Sequence, residues 1–370
     1  MLQRVLAISL FLAGAPATLA LAAEGEVNPL AYAITDISPE VRVLHQPGFH
    51  VQPRGNVTII KQADGFVLID SGGSPAAADE VIAVVRAMGS QNVTDIVFTH
   101  WHGDHVLGVA RLLEVWPEAR LIASPQTARM LAAPETDRYM PGSDADANAR
   151  LQEDLAGAVA YFYSEAINDA YPRLVREAFE RTALEFERYA DEMRVARRIV
   201  PPHLIAEDIL LDDTIAPVTL RLIGRGNTEG DVIAYLPRQR VLMTGDLVVS
   251  PIPFGFNTYP AQWRAALDTL TVYDFEVLVP GHGAPQHDAA YVDTLIFLLD
   301  DAMRQAALLA PDAAITAENV LQYFDIAAWR ARMAYDDAWL DIWFRRYWAG
   351  PIASSALREA RGIPVIQGAE

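Results

Sequence analysis

Three of the chain's eight histidines and one aspartate lie within six consecutive residues, His100-Trp101-His102-Gly103-Asp104-His105. In a 370-residue chain so poor in histidine, scattered surface histidines would not crowd in this way. Neutral imidazole is a good ligand for zinc, and a carboxylate adds charge and hardness. His100 and His102 are two apart, so on an extended segment both side chains point to one side. Asp104 and His105 lie past the turn and can face the opposite direction. One short loop can thus serve two adjacent metal positions.

Two further residues of ligand type stand directly after apolar runs. Asp246 closes Thr244-Gly245-Asp246, and His282 is flanked by glycines in Gly281-His282-Gly283. Glycine on both sides lets the backbone turn sharply and leaves the imidazole accessible. The chain contains no cysteine, which excludes disulfides, thiolate ligands, a cysteine nucleophile and a lipid anchor on an N-terminal cysteine. Any metal here is held by nitrogen and oxygen.

These groups need strands ending at one edge, and the sequence supplies them. Strand patterns are read at 41–44, 56–60, 65–70, 95–99, 120–124, 218–223, 231–236, 240–244 and 275–279, with a hairpin turn at Pro237-Arg238-Gln239-Arg240. Helical spacing is read at 76–88 and 109–115. Strand–helix–strand alternation of this kind predicts a layered α/β domain. Residues 147–170 and 173–197 read as two helices broken at Tyr171-Pro172, taken as a packing hairpin inserted at about 147–198 with no chemistry of its own. From 289 to 361 the chain reads as mostly helical, with Trp339, Trp343, Phe344, Tyr347 and Trp348 as packing or interface residues.

In chain order, Asp70, His100-x-His102-x-Asp104-His105, Gly226-Asn227-Thr228, Thr244-Gly245-Asp246 and Gly281-His282-Gly283 resemble the landmarks of the metallo-β-lactamase-fold hydrolase superfamily. The resemblance implies a four-layer αββα sandwich with two zinc ions at one edge of the sheets. It implies that His100 and His102 bind a first zinc, that Asp104, His105 and His282 bind a second, and that Asp246 bridges both. Asp70 would hold the metal loop by hydrogen bonds from behind. The expected domain layout is a metallo-β-lactamase-like unit over 23–288 and a helical extension over 289–370.

One landmark departs from the pattern. Asn227 stands where the superfamily usually has histidine, and its amide oxygen is a poorer zinc ligand than imidazole. Three outcomes follow from the residue type: weak ligation, a hydrogen bond to a metal-bound water, or one working metal in the second site. The favoured expectation is two metals with a weakened first position. His203 is a replacement ligand disfavoured by Pro201-Pro202 just before it. A smaller departure is Val106-Leu107-Gly108, which keeps one of two usual glycines and should alter packing only.

The implied activity is zinc-dependent hydrolysis of a carbonyl substrate, an ester, lactone, thioester or β-lactam. Asp104 or Asp246 would orient the attacking water and take its proton. Asp246 stands where the well-known lactamases carry cysteine or serine, which points toward thioesterase and general metallohydrolase branches ahead of a β-lactamase proper. A non-catalytic periplasmic metal-binding accessory protein is the rival from another class, and a diiron redox role ranks last. The aromatic loop 250–260 is read equally as substrate pocket or loop packing, and Arg225 equally as a partner for a substrate carboxylate or a structural arginine.

Arg4, the apolar stretch 5–13 and Ala20-Leu21-Ala22 read as a signal peptide over 1–22, and hence as export to the periplasm or beyond with no stable membrane span after cleavage. A formal net charge of -19 argues against nucleic acid as partner and leaves a small-molecule substrate. The sequence leaves the oligomeric state open.

Overall fold

The computed structural model describes residues 30–365 except Ser143, Ala317 and Tyr335. The signal-peptide segment lies outside the described residues. Two sheets stack face to face. The first has seven strands in chain order: β1 (Ala33–Asp36), β2 (Val41–His45), β3 (Val57–Lys61), β4 (Phe66–Ile69), β5 (Val93–Val97), β6 (Arg120–Ala123) and β7 (His203–Leu204). The second has five: β8 (Ile209–Leu211), β9 (Val218–Gly224), β10 (Asp231–Leu236), β11 (Val241–Met243) and β12 (Val277–Val279), in the order β12-β11-β10-β9-β8. β1 to β4 pair antiparallel, whereas β4 to β7 run parallel, as do β11 and β12.

Strand periodicity divides the apolar residues between two cores. Val41, Val43, Ile60, Val67, Ile69, Val97, Val232, Val241, Met243 and Val279 fill the space between the sheets. Their neighbours Ile59, Phe66, Leu68, Ile96, Ile233, Leu242 and Leu278 point outward and pack under helices. Every central strand is therefore buried on both faces, which is why these strands read as unbroken apolar runs. Helices on both outer faces complete the expected αββα sandwich. Helix Pro75–Met88 starts where Ser74 accepts from the Ala77 amide, with proline in the first turn.

The hairpin of helices Ala145–Ala166 and Arg173–Met193 and the helices Ala290–Leu309, Ala327–Met333, Ala338–Trp343 and Gly350–Ala360 match the helical regions read from sequence. The C-terminal aromatic residues pack within the chain: Trp343 lies against Phe49 and Phe162, and Trp348 against Trp263. The short strands β1, β7 and β8 and helices Pro125–Ala132 and Pro260–Leu270 escaped the sequence reading. Strands of two to four residues carry too few alternations to register as a period. Leu107, standing at the missing glycine, is fully buried in the outer core. The retained Gly108 is obligatory, because a Cβ there would sit 2.0 Å from the Ser71 carbonyl oxygen. Among the described residues no helix is long and apolar enough to cross a membrane.

Candidate metal centre

The ligand-type residues emerge at the ends of β4, β5, β11 and β12, all opening on one edge of the sandwich. β5 ends at Val97, and Thr99 and His100 follow as the chain leaves the sheet. Gly103–Val106 then forms a single helical turn that carries Asp104 and His105 away from His102. Gly245 precedes Asp246 with φ of 52°, a conformation that favours glycine, and a Cβ there would lie 2.7 Å from Thr99. Gly281 leaves room for Asp246 itself, whose Oδ1 would otherwise be 2.0 Å from a Cβ.

The side chains fall into two groups whose ligand atoms converge within 4.8 Å: His100, His102 and Asp246 in one, Asp104, His105 and His282 in the other. Asp246 stands between them. Its Oδ2 is 3.4 Å from His100 Nε2 and 3.7 Å from His102 Nδ1. Its Oδ1 is 3.2 Å from His105 Nε2 and 3.5 Å from His282 Nε2. In the second group, His282 Nε2 lies 3.0 Å from Asp104 Oδ2 and 3.1 Å from His105 Nε2.

Asp70 closes β4 in the left-handed region, with φ of 63°. Its carboxylate accepts from the Thr99 amide and hydroxyl, both at 2.8 Å, and contacts His105 Nδ1 at 2.8 Å. One carboxylate thus pins the start of the metal loop and the tautomer of its last histidine. The Thr99 hydroxyl is also 3.0 Å from His100 Nδ1, leaving His100 Nε2 toward the centre.

Burial opposes every charge in this cluster, yet the carboxylates stay ionised. The His105 and His282 imidazoles hold Asp104 down at about 2 against the effect of burial. His105, His282 and His100 hold Asp246 well below the usual carboxylate range, again against burial. Burial pushes His100 down to about 4, so its imidazole is neutral at physiological pH. Burial also works to lower His282, but Asp246 and Asp104 raise it to about 9.

The residues fit divalent cations by their own chemistry. Both carboxylate oxygens of Asp246 and the His100 Nε2 atom are buried without a hydrogen-bond partner. Leaving such atoms unpaired costs about 1–3 kcal/mol each, unless something else binds them.

Asn227 is buried and lines the cleft above this floor, where its amide donates to the Phe254 carbonyl at 3.0 Å. His203 is exposed on the edge strand β7 and belongs to neither group. Arg225 does not line the cleft; it pairs with Glu229 at 3.4 Å and lies over the Tyr259 ring. The cleft encloses about 370 Å³, walled largely by Val51, Pro53, Trp101, Tyr139, Phe254 and Tyr347. Phe254, Phe256 and Asn257 of the 250–260 loop face it, while Ile252 and Tyr259 are buried as packing. Sequence reading missed Tyr189 of helix Arg173–Met193 and gave Tyr347, near the opposite end of the chain, a packing or interface role; both line the cleft. Nothing in their local spacing marks them, because they arrive from elements far away in sequence.

The family description "Metallo-beta-lactamase superfamily" matches residues 52–282, well over half of the chain. The linear primary-alkylsulfatase of Pseudomonas sp. (strain ATCC 19151) is 24% identical over 262 residues, 66% of this chain and 44% of that protein. The atrochrysone carboxyl ACP thioesterase nsrC of Aspergillus novofumigatus (strain IBT 16806) is 39% identical over 88 residues, 23% of this chain and 27% of that protein. The chain therefore spans less than half the length of these curated relatives. Among solved structures, the stereoselective inverting sec-alkylsulfatase Pisa1 from Pseudomonas sp. matches at TM-score 0.58 and 14% identity, over 89% of this chain and 50% of that one. A metallo-β-lactamase from Pontibacter korlensis matches at TM-score 0.50 and 19% identity, over 73% of this chain and 99% of that one. These two likenesses are likenesses of fold. With the matched region running from the segment before β3 to His282, the chain belongs to the metallo-β-lactamase superfamily.

Proposed function

We propose that this protein is a zinc-dependent hydrolase acting on an ester-type substrate with an uncharged apolar chain. The observation that carries this reading is that His102 and Asp104, one from each ligand group, line an aromatic cleft whose walls, among the described residues, include no arginine or lysine. His100, His102 and Asp246 would hold one ion and Asp104, His105 and His282 the other, with Asp246 standing between the two groups. Bound zinc would supply Lewis acidity and a water acidified to near-neutral pKa. The chain's own residues do the rest. Asp70 orients His105; Asp104, which turns its Oδ2 toward His105 and His282, would take the attacking water's proton; and the aromatic walls exclude bulk water.

A wall without cations favours an acyl chain over a phosphate ester. It also disfavours β-lactams, which carry a ring carboxylate that would find no positive side chain there. Within the ester class, a carbonyl ester, thioester or lactone is the first reading. An alkyl sulfate ester is the second: its anionic head meets the same cation-free wall, and its support is the alkylsulfatase match over 66% of the chain. Export to the periplasm remains a proposal carried by residues 1–22.

The test is metal content together with a hydrolase panel of short and long acyl aryl esters, an acyl thioester, a lactone, a long alkyl sulfate and a chromogenic β-lactam. The expected result is bound zinc, chelator-sensitive activity and a preference for the longer chains. Zinc-loaded protein that turns over none of the panel would favour a non-catalytic metal-binding role. Selective opening of the β-lactam would establish the lactamase reading instead.

A further inference from the structure

The inserted hairpin contributes Tyr189 to the wall of the cleft. On helix Arg173–Met193, Glu185, Tyr189 and Glu192 are spaced four and three residues apart, so they share one face. The outer two are fastened to the segment that leads into β3. Glu185 Oε1 meets His50 Nδ1 at 3.1 Å, and Glu192 Oε1 meets Arg54 Nη2 at 2.7 Å. Arg54 is 3% exposed and also donates to Glu80 and to the Leu30 carbonyl, so it is a fixed anchor. The next residue, Gly55, donates its amide to the Asp104 carbonyl at 3.1 Å. Two charge-assisted contacts thus straddle Tyr189 and tie it to the backbone that carries Asp104.

Tyr189 is 7% exposed, with its ring against Phe186, and it lines the cleft beside His102 and Asp104. Two other polar side chains in the cleft walls are committed to backbone carbonyls. Tyr347 donates to the Val51 carbonyl at 2.7 Å, and Asn227 donates to Phe254. The Tyr189 hydroxyl has no protein hydrogen-bond partner among the described residues. A phenol held over a metal floor with its donor uncommitted is suited to an oxygen that gains negative charge during reaction.

We propose that Tyr189 is a catalytic residue whose hydroxyl donates a hydrogen bond to the substrate oxygen on which negative charge develops as the scissile ester is attacked. This rests on the hydrolase reading above. Burial, reinforced by the charges on Asp104 and Glu192, raises the phenol's pKa, so it is a donor throughout the neutral range. No proton need be transferred. The bond strengthens as the charge grows, so its effect falls on turnover more than on substrate affinity.

The experiment is Tyr189→Phe, which keeps the ring and removes only the hydroxyl. It is assayed on the long-chain ester that the wild-type protein cleaves best, alongside zinc content and thermal midpoint. The expected result is a fall in kcat of about 100-fold with KM changed by less than about threefold. Zinc content and thermal midpoint should match wild type. A kcat within about twofold of wild type, or a loss confined to KM, overturns the role of Tyr189 and leaves the hydrolase reading standing. A wild-type protein inactive on the whole panel overturns both.

Discussion

The His105 imidazole is held by Asp70 through Nδ1 at 2.8 Å, and this contact turns its Nε2 toward Asp104, Asp246 and His282. Asp70 is almost fully buried, and its remaining lone pairs are taken by Thr99. The Asp104, His105 and His282 group therefore depends for its arrangement on a carboxylate outside it.

Replacing Asp70 by alanine should loosen that group first. The expected loss is about 10–100-fold in affinity for the second zinc, as for other carboxylates that orient metal-bound histidines. Competition with a chromophoric chelator would resolve two classes of zinc in the wild type. An Asp70→Ala variant with both affinities unchanged would show that the contact is not needed to orient His105.

Asn227 lines the same cleft as His102, with its amide group donating to the Phe254 carbonyl. Asn227→His would put an imidazole, a strong zinc ligand, into the cleft that His102 lines. Zinc retained after dialysis should rise toward two per chain, with the gain in the weaker class. If zinc content and rate both stay at wild-type levels, residue 227 does not address the metal.

The His50–Glu185 contact should make stability depend on pH. Burial lowers the His50 pKa, but Glu185 outweighs it and the folded-state value lies above 6.5. A raised histidine pKa gives stabilisation that is complete below about pH 6.5 and is lost as pH rises through the folded value. Urea midpoints of wild type and Glu185→Gln should therefore differ most near pH 6 and converge on the alkaline side. A constant gap from pH 6 to 9 would mean the pair contributes through packing and not through charge.

Much of the candidate metal centre is legible in the chain itself. The two-residue spacing of His100 and His102, the turn before His105, and a ligand-type residue directly after each of two apolar runs are local facts. They follow from strand and turn geometry within a few residues. The two-core sandwich is legible for a similar reason, because strands buried on both faces read as continuous apolar runs. What only the tertiary structure decided is how distant pieces meet. It places the two oxygens of Asp246 toward different ligand groups, sends Arg225 to Glu229 and away from the cleft, and leaves His203 on an exposed edge. It also brings Tyr189 over the metal floor through Glu185 and His50, which are 135 residues apart in sequence. No periodicity encodes a contact of that separation; it exists only once the inserted helix has docked on the segment before β3.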